Sequence, residues 1–345
     1  MERIDKKTAL KMYKEMPLLE LGKMADSLRK ELHPENIVTF VIDRNINYTN
    51  ICINKCSFCA FYKDIDNPES YLLKTSEILQ KIQETVDVGG TAILIQGGLH
   101  PDLNIDYYID LLKTIKKEFD INIHGFSPPE ITHIAKVAGL SIKDTIKKLI
   151  DAGLGSIPGG GAEVLSDRIR EAVSPKKIKT EQWMAVMAEA HEAGLKTTAT
   201  MMFGCGEGPE DIIEHLDAAR SQQDKSHGFT AFIPWSFQPE NTALGKGFLP
   251  ATGVDYLRVL ALSRIYLDNI KNIQASWVTQ GIKMAQVALR FGANDLGSTM
   301  LEENVVRAAG VSFKVSQDDL INAGMAAGFK VMQRDTFYNR LKEFN

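Results

Sequence analysis

Short apolar runs rich in β-branched residues alternate along this chain with longer stretches of helical period, and that alternation predicts a parallel α/β fold. Eight such runs in 345 residues narrow it to a (β/α)8 TIM-type barrel of parallel strands with N- and C-terminal helical extensions. A further observation supports the barrel. Glycines and polar residues gather just after the runs, at positions that a parallel barrel brings together on one face.

The runs read as strands are 38–43 continuing to 48, 92–95, 121–126, 154–157, 197–203, 229–235, 273–277 and a weaker one at 293–296. Between them lie stretches of helical period at 76–88, 105–118, 142–152, 180–193, 209–224, 256–269 and 281–291. Hydroxyls at Thr75 and Thr180 offer helix starts, and Gly153 and Gly194 stand where a left-handed residue ends a helix. No linker or repeat interrupts the pattern. The expectation is one domain over 1–345: a helical extension at 1–35, the barrel at 36–310 and a second extension at 311–345.

Composition excludes several classes of function. A formal net charge of −4 gives no electrostatic footprint for nucleic acid. No apolar run reaches the length of a membrane span, and residues 1–16 form a charged amphipathic pattern unlike a signal peptide, so a cytoplasmic protein is expected.

Three of the four cysteines fall in Cys52-Ile-Asn-Lys-Cys56-Ser-Phe-Cys59. Such close thiols make a poor disulfide framework and leave a tetrahedral soft-metal site one ligand short. An iron–sulfur cluster held by three cysteines keeps one iron open. Zinc would need a fourth ligand, and the next Cys or His is His100; buried or redox-active thiols are the third reading. Gln96-Gly97-Gly98 ends the second run, where glycines let a ligand approach the backbone. Glu163, after Gly159-Gly160-Gly161, offers a carboxylate for hydroxyls or an ammonium, and Arg168 a guanidinium for a carboxylate, with Arg170 competing. A phosphate cradle at the triple glycine lacks the following Lys-Ser/Thr. Glu207 follows the fifth run near Cys205, which is distant from the other cysteines in sequence.

The cysteine spacing, with Phe58 before the last thiol, resembles the signature of the radical S-adenosylmethionine superfamily. The resemblance implies a [4Fe-4S] cluster on Cys52, Cys56 and Cys59, with S-adenosylmethionine on the open iron as the source of a 5′-deoxyadenosyl radical. It also implies cofactor contacts from Phe58, Gln96, Gly97, Gly98, Glu163, Arg168 and Glu207, and an external electron donor. Longer segments, among them Asp43 to Asn50, His124 to Glu130 and Phe229 to Trp235, resemble the menaquinone-pathway and deazaflavin-synthase group. Gln274 to Gly281, Gly292 to Met300 and Gln333 to Tyr338 are similar to the cyclic dehypoxanthinyl futalosine synthase family. That family's substrate is dehypoxanthinyl futalosine; aminofutalosine synthases and deazaflavin-synthase-like enzymes are the alternatives, and a non-catalytic Fe-S or zinc protein a remoter one.

For such a substrate the candidate contacts are Tyr48, Asn50, Ser127, Trp235, Gln238, Asn241, Trp277, Gln280, Asn294 and Ser298, mostly near predicted strand ends. Each is also the kind of polar or aromatic group that buried loops use to satisfy their own backbone. Glu163, Glu240 and Asp295 are the candidates for a proton acceptor.

Overall fold

A computed structural model describes residues 3–344. The first predicted run divides at Ile42 into β1 (Ile37–Val41) and β2 (Asp43–Asn47). There follow β3 (Ala92–Gln96), β4 (Asn122–Gly125), β5 (Ser156–Ile157), β6 (Lys196–Phe203), β7 (Phe229–Ser236), β8 (Asn272–Ile273) and β9 (Asp295–Ser298). Seven strands, β2 to β8, pair in chain order, every ladder parallel. The ring then closes. Asn294 N–H donates to Ile273 O (3.1 Å) and Ala275 N–H to Asp295 O (2.8 Å), joining β8 to β9. Strand β9 in turn lies parallel to β1.

Alternate residues along the strands face inward, so Leu94, Thr198, Thr200 and Ile233 line the interior. Isoleucines such as Ile46, Ile93, Ile95 and Ile123 are fully buried against the surrounding helices. The strand expected at 273–277 stops early. Ser276 N–H donates to the Tyr256 hydroxyl (2.7 Å), and the chain turns into the short helix Trp277–Gln280.

Two helices absent from the sequence reading stand at strand ends, Pro128–Ala138 and Asp167–Val173. The first has a legible cause: Ser127 and Glu130 form a capping box, and prolines occupy the first turn, where a missing N–H costs nothing.

The N-terminal extension is helical, as expected, over Lys6–Glu15 and Leu18–Leu32. The second helix packs along the outer helix Gly253–Tyr266. Arg258 ties the pair down by donating to Tyr13 O and Met16 O, both at 2.9 Å. The C-terminal extension carries the helix Gln317–Ala326 and, in addition, two strands: β10 (Lys330–Arg334) parallel to β1, and β11 (Arg340–Phe344) antiparallel to β10. The turn between these strands enters the end of the barrel remote from the cysteine loop, placing Thr336 and Tyr338 on its inner wall.

Asp295, one of the proposed proton acceptors, is fully buried at this seam. It accepts from Thr39 Oγ1 (2.5 Å), Gly297 N (2.8 Å), Arg334 Nε (2.6 Å) and Arg334 Nη2 (2.9 Å). Removing a partner of a buried ion pair strands the other charge. Asp295→Ala is expected to cost about 3–5 kcal/mol of unfolding free energy; a urea titration showing a loss under about 1 kcal/mol would contradict this role.

Candidate active site

The cysteine loop leaves β2 and is pinned at both ends. Cys52 N–H donates to Lys63 O (3.2 Å), Ile53 N–H to Leu99 O (3.1 Å) and Cys59 N–H to Cys56 O (3.1 Å). Ser57 donates through its N–H (3.0 Å) and hydroxyl (2.7 Å) to Val173 O, so the helix Asp167–Val173 holds the loop from the side. No disulfide forms. Burial pushes the Cys56 thiol up to about 12; Lys177 opposes the shift, while Glu163, Cys59 and Cys52 add to it.

Gly98 lies against this loop. A Cβ there would stand 2.2 Å from Ile51 O and 2.8 Å from Cys52 Cβ, so only glycine lets the two loops close. Glu130 fixes the same turn: its carboxylate accepts from Gly97 N (2.9 Å), Tyr48 Oη (2.9 Å), Ser127 N (2.7 Å) and Ser127 Oγ (2.6 Å). Burial raises the Glu130 carboxyl against the pull of these four donors.

Below the loop the barrel encloses a cavity of about 290 Å³. Gln96, Gly160, Gly161 and Glu163 line its mouth; Trp235 and Trp277 line its walls. Glu163 has φ +40°, a left-handed backbone that turns its side chain inward. Lys177 Nζ donates to its Oε1 (2.8 Å) and stands 5.2 Å from the centre of the Phe58 ring. Arg170 Nη1 lies 3.8 Å from Glu163 Oε2, an oxygen with no hydrogen-bond partner among the described residues. Burial alone would lower the Lys177 ammonium, but Glu163 and Cys56 outweigh it and the group is raised.

The structure gathers some of the predicted residues and not others. Gln96, Glu163, Trp235, Trp277 and Ser298 line the cavity, while Phe58, Gly97 and Gly98 stand around its mouth. Gln280 donates to Ser236 Oγ (2.5 Å) and Gln238 to Ser236 O (3.0 Å), bracing the end of β7. Tyr48 lies beneath Gly97, and Ser127 caps its helix. Asn50 ties the loop after the cysteines, donating to Glu69 O and accepting from Tyr71 N, both at 2.9 Å. Asn294 binds Arg264 and the Ile273 backbone behind the barrel. Arg168 points outward, 65% exposed, onto Asp211. Glu207 caps its own loop through Gly204 N (2.5 Å) and Cys205 N (2.9 Å). Glu240 and Asn241 are exposed, and Cys205 is buried in an apolar cluster on which Phe58 packs.

In sequence the basic pair Lys176-Lys177 reads as a solvated helix face, yet the Lys177 side chain is only 11% exposed, and Glu130 and Asp43 stand out there only as members of longer segments. Asp43 lines the cavity, accepts from Ser298 Oγ and has its carboxyl raised to about 6 by burial. The capping-box spacing was the available signal for Glu130.

Comparison with known proteins then decides the family. Residues 46–219 match the Radical SAM superfamily model. The chain belongs to the radical SAM superfamily. Its C-terminal part, residues 226–344, matches the CofH/MqnC C-terminal region. It is 47% identical over 344 residues to the cyclic dehypoxanthine futalosine synthase of Halalkalibacterium halodurans, covering 99% of this chain and 93% of the relative. The enzyme of the same name from Streptomyces coelicolor is 43% identical, with 98% and 86% covered. A 5-amino-6-(D-ribitylamino)uracil–L-tyrosine 4-hydroxyphenyl transferase from Archaeoglobus fulgidus is also 43% identical, with 93% and 94% covered. Among solved structures, methylornithine synthase (PylB) superposes with a TM-score of 0.73 at 19% identity, covering 94% and 92%, which supports the barrel fold.

A radical SAM enzyme uses a [4Fe-4S] cluster and S-adenosylmethionine. The donors present fit that pair. Three unpaired thiols lie on one pinned loop, against which Gly98 packs closely, and Glu163 Oε2 is buried without a partner among the described residues. Among the described residues no three His, Cys, Asp or Glu side chains are drawn into a closed ligand set, so the thiols would complete their geometry around the cluster.

Cys56→Ala is expected to abolish the cluster's absorption and S-adenosylmethionine cleavage while the circular dichroism of the barrel persists; retained cleavage would remove this thiol from the ligand set. A pH dependence follows from Asp43. The folded protein keeps this proton up to about pH 6, whereas the unfolded chain releases it near 3.8. The native state therefore binds more protons across that window, and stability falls as pH rises through it, by about 3 kcal/mol in full. Asp43→Asn should lack this component. Denaturation of both proteins from pH 4 to 7 measures it, and parallel curves would count against the assignment.

Proposed function

We propose that the protein is a radical SAM cyclase that converts dehypoxanthinyl futalosine to cyclic dehypoxanthinyl futalosine in menaquinone biosynthesis. The observation that carries this reading is the full-length likeness to two synthases of that product, at 47% and 43% identity. Within the chain it draws on Trp277, Gln280 and Ser298, which lie in the segments similar to that family and stand on or beside the cavity.

The cluster with S-adenosylmethionine supplies a 5′-deoxyadenosyl radical at the mouth. The substrate loses the hydrogen on its 4′ carbon, the carbon radical attacks the attached benzoate ring, and loss of one electron and one proton restores aromaticity. An external electron donor starts the sequence. The protein's residues have a positioning task, since an intramolecular attack gains most from a bound near-attack conformer. Trp235 and Trp277 give flat apolar walls for an aromatic ring, and Trp277 is locked by donation from its Nε1 to Ser298 O (2.8 Å). Gln96 and Glu163 present polar atoms at the mouth.

A second reading has support of its own: the archaeal relatives that act on a ribitylaminouracil and L-tyrosine reach 43% identity over nearly the whole chain. Anaerobic turnover separates the two. With dehypoxanthinyl futalosine, the cyclase reading expects substrate-dependent 5′-deoxyadenosine and a product two mass units lighter than substrate. Turnover only with the uracil and tyrosine would establish the second reading instead.

A further inference from the structure

The mouth of the cavity has an explanation in the cofactor, but its opposite end does not. There the turn between β10 and β11 forms a floor. Asp335 holds that turn by accepting from Phe337 N (2.8 Å), Asn339 N (2.9 Å) and Asn339 Nδ2 (2.8 Å). Tyr338 takes a left-handed φ of +67°, rare for a bulky residue. Its ring lies 3.9 Å from the Arg334 guanidinium, and its hydroxyl is buried without a hydrogen-bond partner among the described residues.

Three other groups converge on this floor. Asp43 accepts from Ser298 through Oδ1, while its Oδ2 has no partner among the described residues. Gln274 lines the cavity with a side-chain amide that makes no hydrogen bond among the described residues. Gly297, at φ +76°, makes room for that amide: a Cβ there would stand 2.5 Å from Gln274 Nε2. Burial lowers His124 to about 3, which leaves it neutral.

We propose that this floor, formed by Tyr338, Asp43 with Ser298, and Gln274, is a hydroxyl-recognising subsite that takes the sugar or polyol end of the substrate. The chemistry of the groups selects that class. Arg334 is the one lysine or arginine on the described cavity wall, and its charge is already paired: Nε and Nη2 donate to the Asp295 carboxylate, and Nη1 donates to Asp335 O (2.9 Å). An anionic group would meet Asp43 with no free cation beside it. An ammonium would satisfy Asp43 but offer no acceptor to Tyr338 Oη or the Gln274 amide. A hydroxyl does both, donating to a carboxylate and accepting from a phenol or an amide. Held there by its hydroxyls, a sugar turns its remaining bonds and its appended ring toward the tryptophan walls and the mouth.

The inference deepens the proposed function and rests on a hydroxyl-bearing substrate. Its test is equilibrium binding to the cluster-loaded enzyme, followed by tryptophan fluorescence, for dehypoxanthinyl futalosine and for analogues lacking one ribose hydroxyl each. Tyr338→Phe is expected to weaken the parent ligand about tenfold. One deoxy analogue should bind wild type and Tyr338→Phe equally, because the lost hydroxyl is the partner of the lost phenol. Asp43→Asn and Gln274→Ala should give the same pattern with their own analogues. If Tyr338→Phe weakens every analogue alike, or none, the subsite is overturned. A wild-type enzyme that ignores dehypoxanthinyl futalosine but binds 5-amino-6-(D-ribitylamino)uracil defeats the proposed reaction only; the floor is then read from ribityl-deoxy analogues of the uracil by the same criterion. Binding of neither ligand overturns the floor as well.

Discussion

A carboxylate without access to water organises the far end of this barrel. Asp295 has lost its hydration entirely, a cost that must be met by donors of good geometry. It has four, and they come from different strands: Thr39 from β1, Gly297 from β9 and two nitrogens of Arg334 from β10. The C-terminal strand thus supplies two of the four donors at the seam where the first and last strands of the ring meet. The turn that carries Tyr338 inherits its position from that ion pair.

Glu130 plays the corresponding part at the mouth. Four donors, from Tyr48 and Gly97 just past the ends of β2 and β3 and from the Ser127 cap, converge on one buried carboxylate, and their common result is a fixed Gly97-Gly98 turn against the cysteine loop. Between the two carboxylates lies a cavity whose lining is largely apolar, with Thr198 and Thr200 among its wall residues. Such an arrangement suits chemistry on a reactive intermediate. Apolar walls give an intermediate few groups to react with, while polar atoms of Gln96 and Glu163 at the mouth and Asp43 at the floor are placed to orient it.

Short apolar β-branched runs set between stretches of helical period made most of the strands legible, and the spacing of three thiols on one loop made the mouth legible. Individual polar residues were not. Asn294, Asp295, Tyr48 and Ser127 occur near strand ends beside glycines, as ligand-binding residues do, yet all four satisfy buried donors and acceptors of the fold. Both tasks ask for the same atoms at the same positions, so residue type cannot separate them. The floor escaped for another reason. Its strand β10 pairs with β1 across nearly the whole chain, Ile37 beside Lys330, and a five-residue run with a basic residue at each end shows neither its partner nor its direction.

Helix phase explains why Arg168 and Arg170 exchange expected roles. Residues two apart on a helix differ by about 200°, so if one arginine faces the core its neighbour faces solvent. Arg168 takes the outer side with Asp211, and Arg170 the inner side toward Glu163. Lys177, beyond the helix end, folds back to the same carboxylate and still has donor capacity after that bond. The cavity is therefore electrically unequal along its axis. Lys177 stands at the mouth with donors remaining, whereas the floor's guanidinium has its charge paired through two bonds to the Asp295 carboxylate. A ligand with a hydroxylated end is thus oriented before any contact specific to its middle is made: its hydroxyls are favoured toward Asp43 and Tyr338.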